Sequence, residues 1–288
     1  MKISKVIESV TVELLRKAVT TLPSDVKEVL KRAYEVEEGV GKIQLKNILD
    51  NIELAEKKQV PICQDTGTVY FYVKAGGCFK GLEKIRGALI KGVRRATVEI
   101  PLRPNAVNPL TQENSGDNTG FHIPHIYWEV VEGEEVEITV LPKGGGSENT
   151  SKYTMLKPSD GLDGVKKFVL ETIIEAGAQP CPPTIIGVGL GGGADIAMKL
   201  AKTALLRPLN SHHPDQKVAE IEAELLEAAN MTGIGPMGLG GKTTALAVHI
   251  EYAHRHPASY PVGIVFQCWA ARRASAKILP DGSIMYST

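Results

Sequence analysis

Three of the four cysteines in this chain stand in settings that the fourth lacks. Cys63 lies in PICQDTG, Cys181 in QPCPPT and Cys268 in FQCWAARR, whereas Cys78 sits in KAGGCFKG. Each of the three borders a strand-like segment. The first two have proline neighbours, which stiffen the backbone and remove a competing N–H donor. No pair is spaced as C-x-x-C, which excludes a zinc ribbon or a thioredoxin-type motif. The plain alternative is four buried, inert thiols. Soft sulfur donors suit zinc and iron–sulfur groups alike. Zinc held by three cysteines wants a His or a fourth Cys at short spacing, and no such residue is evident. Three thiolates far apart in sequence fit a [4Fe–4S] cluster with one iron left without a protein ligand. Such an iron is a Lewis acid, able to take a hydroxyl and an adjacent carboxylate and help the hydroxyl leave. That is hydro-lyase chemistry rather than electron transfer.

A hydroxy-diacid needs cationic clamps and hydrogen-bond donors. Arg103, between the prolines of IPLRPNAVNP, has the fork that holds a carboxylate bidentately, although a surface arginine in a loop looks the same in sequence. GGGSENTSKYTM, beginning at Gly144, offers glycine amides followed by hydroxyl, amide and ammonium donors; solvated loops also have this composition. Gln64 and Asp65 follow Cys63 directly.

Stepping out to the elements that carry these residues, ISKVIESVTVELLRKAVTTLP, DVKEVLKRAYEVE and GKIQLKNILDNIELAEKK read as three amphipathic helices. Val69 to Val73 reads as a strand, and residues 81–99 as a helix. HIPHIYWEVVEGEEVEITVLP has the pattern of a β-hairpin, and residues 144–161 read as a long polar loop. GLDGVKKFVLETIIEAG is a helix with Gly177 as its stop. A strand, a glycine-rich loop and a helix follow in PTIIGVGLGGGADIAMKLAKTALL, then a helix in PDQKVAEIEAELLEAANMTG. TTALAVHIEYAHRH and PVGIVFQCWAARRASAKI read as two further strands. The expectation is a mixed α/β (α+β) fold: a helical N-terminal part, then mixed sheets with glycine-rich loops around an iron–sulfur site. Residues 1–288 form one domain of two-lobed shape.

Two glycine-rich stretches imitate nucleotide sites. Gly187-x-Gly189-x-x-Gly192 has the dinucleotide fingerprint form, but no second strand ending in an acid follows it. GPMGLGGKTT resembles a phosphate loop, yet its leading glycine position is Pro236, which has no amide to donate, and a helical segment precedes it.

Lys plus Arg equals Asp plus Glu at 33 each, which removes the electrostatic footprint of a nucleic-acid binder and argues against an anionic membrane surface. The N-terminus has no uninterrupted apolar stretch of signal-peptide type, and no segment reaches the length needed to span a bilayer. A cytosolic location is expected, where disulfides are disfavoured.

Taken jointly, PICQDTG, RPNAVNPLTQENSGDNTG, LPKGGGSEN, GVGLGGGAD, GIGPMGLGGKTTALAVHIE and FQCWAARR resemble the α subunit, or N-terminal domain, of class I iron–sulfur fumarate hydratases and the related L(+)-tartrate dehydratases. The resemblance implies that Cys63, Cys181 and Cys268 ligate a [4Fe–4S] cluster. It implies that Gln64 and Asp65 contact substrate, that Arg103 binds a carboxylate, and that Gly146 with Asn149, Thr150, Ser151, Lys152, Tyr153, Thr154 and Met155 lines the pocket. Asp65 and His256 are the implied catalytic residues, Gln64 being an orienting amide. Single-chain members continue into a C-terminal domain that supplies further arginines, a lysine and a threonine base. The chain stops at Thr288, so a separate β subunit is expected to complete the site, with two α and two β chains in the assembly and the lone α chain inactive. The expected reaction is the interconversion of fumarate and L-malate. L(+)-tartrate dehydration is the alternative, and a non-catalytic assembly subunit with structural cysteines is a more distant one.

Overall fold

The computed structural model describes residues 3–287, which divide into two compact units. One unit comprises the chain up to Ser24, Asn51–Gly144 and the chain from Arg272 onward; the other comprises Asp25–Asp50 and Gly145–Ala271. Helices α1 (Ile3–Thr20), α2 (Ser24–Val36) and α3 (Gly39–Lys58) form where the periodicity places them.

The first unit is a five-stranded sheet covered on one face by α1 and α4 (Ile85–Glu99). Its strands are β1 (Thr68–Gly76), β2 (His125–Val131) and β3 (Val136–Lys143), with β8 (Ala274–Ile278) and β9 (Ile284–Ser287) from the end of the chain. Their order is β2-β1-β3-β8-β9. Period-two alternation turns Val69, Phe71, Val73 and Ala75 of β1 onto the helices, where they pack with Leu14, Leu89 and Val93. The expected hairpin is corrected here. β2 and β3 do not pair with each other, because β1 lies between them, parallel to β2 and antiparallel to β3. The short link from β2 to β3 spans two strand spacings, roughly 9.5 Å, and the end of β1 is bonded into it. Gly77 N donates to Val131 O, and Cys78 N donates to Gly133 O.

The second unit holds a four-stranded sheet of order β4-β7-β5-β6. Its strands are β4 (Lys152–Leu156), β5 (Thr184–Gly192), β6 (Ala245–Arg255) and β7 (Tyr260–Gln267). The polar stretch 144–161 is therefore not a loop. It forms a short helix α5 (Gly145–Asn149) and the edge strand β4, which bonds to β7. An edge strand half open to solvent carries a polar sequence, so its alternation is masked. The last expected strand also splits, into β7 of this sheet and β8 of the other.

Helices α6 (Gly161–Ala176) and α8 (Gln216–Met231) bury Val165, Val169, Ile173 and Leu225 against Ile186, Val188, Ile250 and Phe266. On the opposite face lies α7 (Ala194–Ala204). The glycines of the apparent dinucleotide fingerprint belong to β5 itself, and α7 crosses them in contact. A Cβ on Gly187 would stand 2.0 Å from Ala201 O, and one on Gly189 1.9 Å from Ala197 O. Among the described residues no helix is long and apolar enough to cross a membrane.

Gly189→Ala is accordingly expected to cost about 2–3 kcal/mol. Gly87→Ala, at an exposed position of α4 with nothing within 4 Å of its Cβ position, is expected to add about 0.5–1 kcal/mol. Urea unfolding of the two variants beside the parent measures both; equal effects would refute the packing account of the glycine stripe.

Candidate active site

In the first unit the entrance to β1 is held by a polar network. Asp65 Oδ1 accepts from Gly67 N at 2.9 Å and from Asn105 Nδ2 at 3.1 Å. Thr66 Oγ1 accepts from Arg103 N at 3.1 Å and lies 3.3 Å from Arg103 O, so the Arg103 backbone is tied to the residue after Asp65. Asn118, 4% exposed and at φ 59°, backs this arrangement. Its Oδ1 takes Asn105 N, and its Nδ2 reaches Thr97 Oγ1 and Arg103 O. Asparagine is among the few side chains that tolerate the left-handed region. The structure thus brings Cys63, Gln64, Asp65 and Arg103 into one neighbourhood, with Cys63 half-buried and Gln64 and Arg103 exposed.

Beneath Asp65 lies Arg272, a residue of the FQCWAARR segment to which the sequence assigns no role of its own. Its Nη1 donates to Asp65 O at 2.5 Å. Gly144 lies between the two side chains, since a Cβ there would stand 3.3 Å from Arg272 Nη2 and 3.4 Å from Asp65 Oδ2. Lys143, also 1% exposed, places Nζ 3.3 Å from Gly144 O.

In the second unit, antiparallel pairing of β5 with β7 brings the start of one strand to the end of the other. Cys181 leads into β5 and Cys268 follows β7, and Trp269 N donates to Cys181 O at 3.3 Å. Both thiols are half-buried. Cys181 adopts φ 54°, a conformation that costs a non-glycine residue of order 1–2 kcal/mol. Its turn is braced by the second glycine-rich stretch: Met237 N donates to Pro182 O at 2.8 Å, and Gly238 packs on Ala178. Gly146 joins this end of the sheet, its Cβ position 3.2 Å from Gln179 O.

The expected pocket lining at Asn149–Met155 is divided by the pleat of β4. Lys152 pairs with Glu175 of α6, and Leu156, on the same face, packs into the α6–α8 core. Tyr153 and Met155 lie on the other face, 39% and 51% exposed. Asn149 ends α5 and is exposed, while Thr150 is buried with its hydroxyl on Ser147 O. His256 stands beyond β6, before β7 begins, at the far end of this sheet from Cys181 and Cys268. Eight residues of β7 separate the two ends, roughly 25 Å of strand. It is exposed, with Nδ1 accepting from Ala258 N.

The phosphate-loop resemblance also finds its cause. Lys242 N and Thr243 N donate to the Glu37 carboxylate at 2.8 and 2.9 Å, and Glu37 is 1% exposed. The loop carries its own anion.

A profile of the family described as "Fumarate hydratase (Fumerase)" matches residues 8–277. The chain belongs to this family. Within the fumarate hydratase family, it is 51% identical over 289 residues to a Methanocaldococcus jannaschii protein named "Putative L(+)-tartrate dehydratase subunit alpha". That match covers 99% of this chain and 100% of the relative. It is 40% identical over 264 residues to the L(+)-tartrate dehydratase subunit alpha of Escherichia coli strain UTI89, covering 91% and 87%. The K12 strain protein of the same name is 39% identical over the same coverage.

Two outcomes follow. Glu37→Gln should destabilise the chain by about 1–3 kcal/mol in urea without creating ATP binding; a variant that gains ATP affinity would contradict the internal-anion reading. The second concerns Asp117, in the loop after Arg103. Burial opposes its charge, but bonds from Thr119 Oγ1 and Thr119 N, with Arg94 nearby, outweigh that and hold its carboxyl below the ordinary value. Its contribution to stability is complete above the unfolded-state pKa of about 3.9 and is lost as pH falls through the folded-state value. Asp117→Asn should therefore melt lower than the parent at pH 7, with the gap closing as the medium is acidified below pH ~4.

Proposed function

We propose that this chain is the α subunit of an iron–sulfur hydro-lyase that dehydrates a four-carbon hydroxy-dicarboxylate. The observation that carries this reading is the Asp65 corner, where a carboxylate beside a candidate ligand cysteine is framed by the buried cations Arg272 and Lys143. Arg272 forms no salt bridge among the described residues, and its Nε is sealed from solvent without a partner. Such a corner suits an anionic group, and Cys63, Cys181 and Cys268 are half-buried soft donors of the kind that iron takes. Among the described residues no three His, Cys, Asp or Glu side chains are grouped to hold a single metal ion.

Cys63, Cys181 and Cys268 would each give one thiolate to a [4Fe–4S] cluster. When bound, the cluster supplies a Lewis-acidic iron for a substrate hydroxyl. Asp65, its plane set by Gly67 N and Asn105 Nδ2 on Oδ1, would hold or release a proton at Oδ2. Gln64 would orient a carboxylate, and Arg103, exposed but anchored through its backbone, would bind one bidentately. Gly146, Asn149 and the stretch to Met155 would line the pocket from α5 and β4. His256 is distant from the cysteine end of its own sheet. Its proposed part in catalysis therefore falls to a site on another α chain of an α2β2 assembly.

The relatives' names, subunit alpha, support a β subunit as the partner, and they weigh toward L(+)-tartrate as substrate. The family description supports the fumarate–malate pair expected from the sequence.

Anaerobic reconstitution should load about four iron and four sulfide per chain, lost in Cys63→Ala, Cys181→Ala and Cys268→Ala and kept in Cys78→Ala. Adding the β subunit and assaying L(+)-tartrate beside L-malate identifies the substrate. A parent chain that takes up no iron would refute the hydro-lyase reading and favour an assembly subunit.

A further inference from the structure

Arg272 is the largest of the fully buried side chains, at 1% exposed. Among the described residues its one hydrogen bond, from Nη1 to Asp65 O, uses one of five N–H donors. A guanidinium cannot shed its proton at any working pH, so burial without a carboxylate costs several kcal/mol. A methionine at this place would carry no such penalty. The bond, moreover, is made to a backbone carbonyl two residues after Cys63, and Cys268 stands four residues before Arg272 in the chain. Nη2 lies 3.3 Å from the Cβ position that Gly144 leaves empty, and Asp65 Oδ2 lies 3.4 Å from the same position.

We propose that Arg272 is a positioning residue, which clamps the Cys63–Asp65 turn through the Asp65 carbonyl and whose charge is balanced by the anionic group this turn holds. The proposal rests on the hydro-lyase reading above and adds to it a residue that neither the sequence motifs nor the substrate contacts single out. The anion has two sources with shared chemistry: the thiolate-bound iron–sulfur core, or a carboxylate of the dicarboxylate ligand.

Arg272→Met, Arg272→Lys and the parent full-length chains are compared in two ways. The first is thermal melting of the iron-free protein. The second is release of iron to a chelator after anaerobic loading, with and without L(+)-tartrate or L-malate. Iron-free Arg272→Met is expected to melt no lower than the parent, because an uncompensated buried charge has been removed. Loaded Arg272→Met should release iron roughly ten-fold faster or more, with Arg272→Lys between the two. If the core is the counter-charge, the difference is present without dicarboxylate. If the substrate is, it appears only when dicarboxylate protects the parent and fails to protect the variant.

Equal release in both conditions overturns the proposal. So does an iron-free Arg272→Met chain that fails to fold or melts well below the parent, which would make the guanidinium a part of the fold alone. A parent that binds no iron removes the hydro-lyase reading, and this inference with it; a loaded parent with an unaffected variant removes this inference only.

Discussion

The antiparallel pairing of β5 with β7 is the constraint on which the second unit depends. It returns the chain after Cys268 to the segment that carries Cys181, and it sends the β6–β7 turn with His256 to the opposite end. Helix α7 can cross this pair closely because one face of both strands is stripped of side chains there. Gly187, Gly189 and Gly263 each leave room that a single carbon would close against Ala197 or Ala201. The register decides which strand ends meet, while the Cys181 turn itself, at φ 54°, is held by the bonds from Met237 N to Pro182 O and from Trp269 N to Cys181 O.

A different logic governs the first unit, where the groups of interest lie on irregular backbone. There the polar network around Asp65 takes the place of regular structure. Asn118 and Asn105 satisfy backbone groups of a long loop, Thr66 ties Arg103 to the β1 entrance, and Arg272 holds the Asp65 carbonyl from below. Buried polar groups are worth their desolvation only when bonded, and a network of them specifies one geometry. The incompletely bonded member, Arg272, is the place where that accounting fails to balance within the chain itself.

The two glycine-rich segments illustrate how one composition serves unrelated physical ends. In β5 the glycines allow a helix to approach a strand. In Gly233–Gly241 they permit the tight path that braces the Cys181 turn, while the amides beyond it are satisfied by Glu37 from α3's approach. Both look like phosphate cradles in sequence, because close backbone approach and outward-facing amides need the same residue whatever approaches.

Helices α1 to α4 and α6 to α8 are legible in the sequence because each carries an apolar stripe at helical spacing, a local signal that survives without knowledge of partners. The cysteine settings and the PICQDTG, FQCWAARR and GIGPMGLGGKTT segments were legible for a similar reason, since chemistry-bearing residues cluster locally. Strand partners were not. The β2–β3 pattern reads as a hairpin, and nothing within it reveals that β1 takes the middle place; β4 is hidden by the polarity of an edge strand. Nor does local pattern show that FQCWAARRASAKI feeds two different sheets. The part of Arg272 could not be read either, since burial and a bond to a carbonyl 207 positions away are properties of the packed chain. What the sequence by itself determined is which segments are helical and which residues could do chemistry; which strands are neighbours, and which guanidinium is buried on a distant backbone carbonyl, only long-range packing decided.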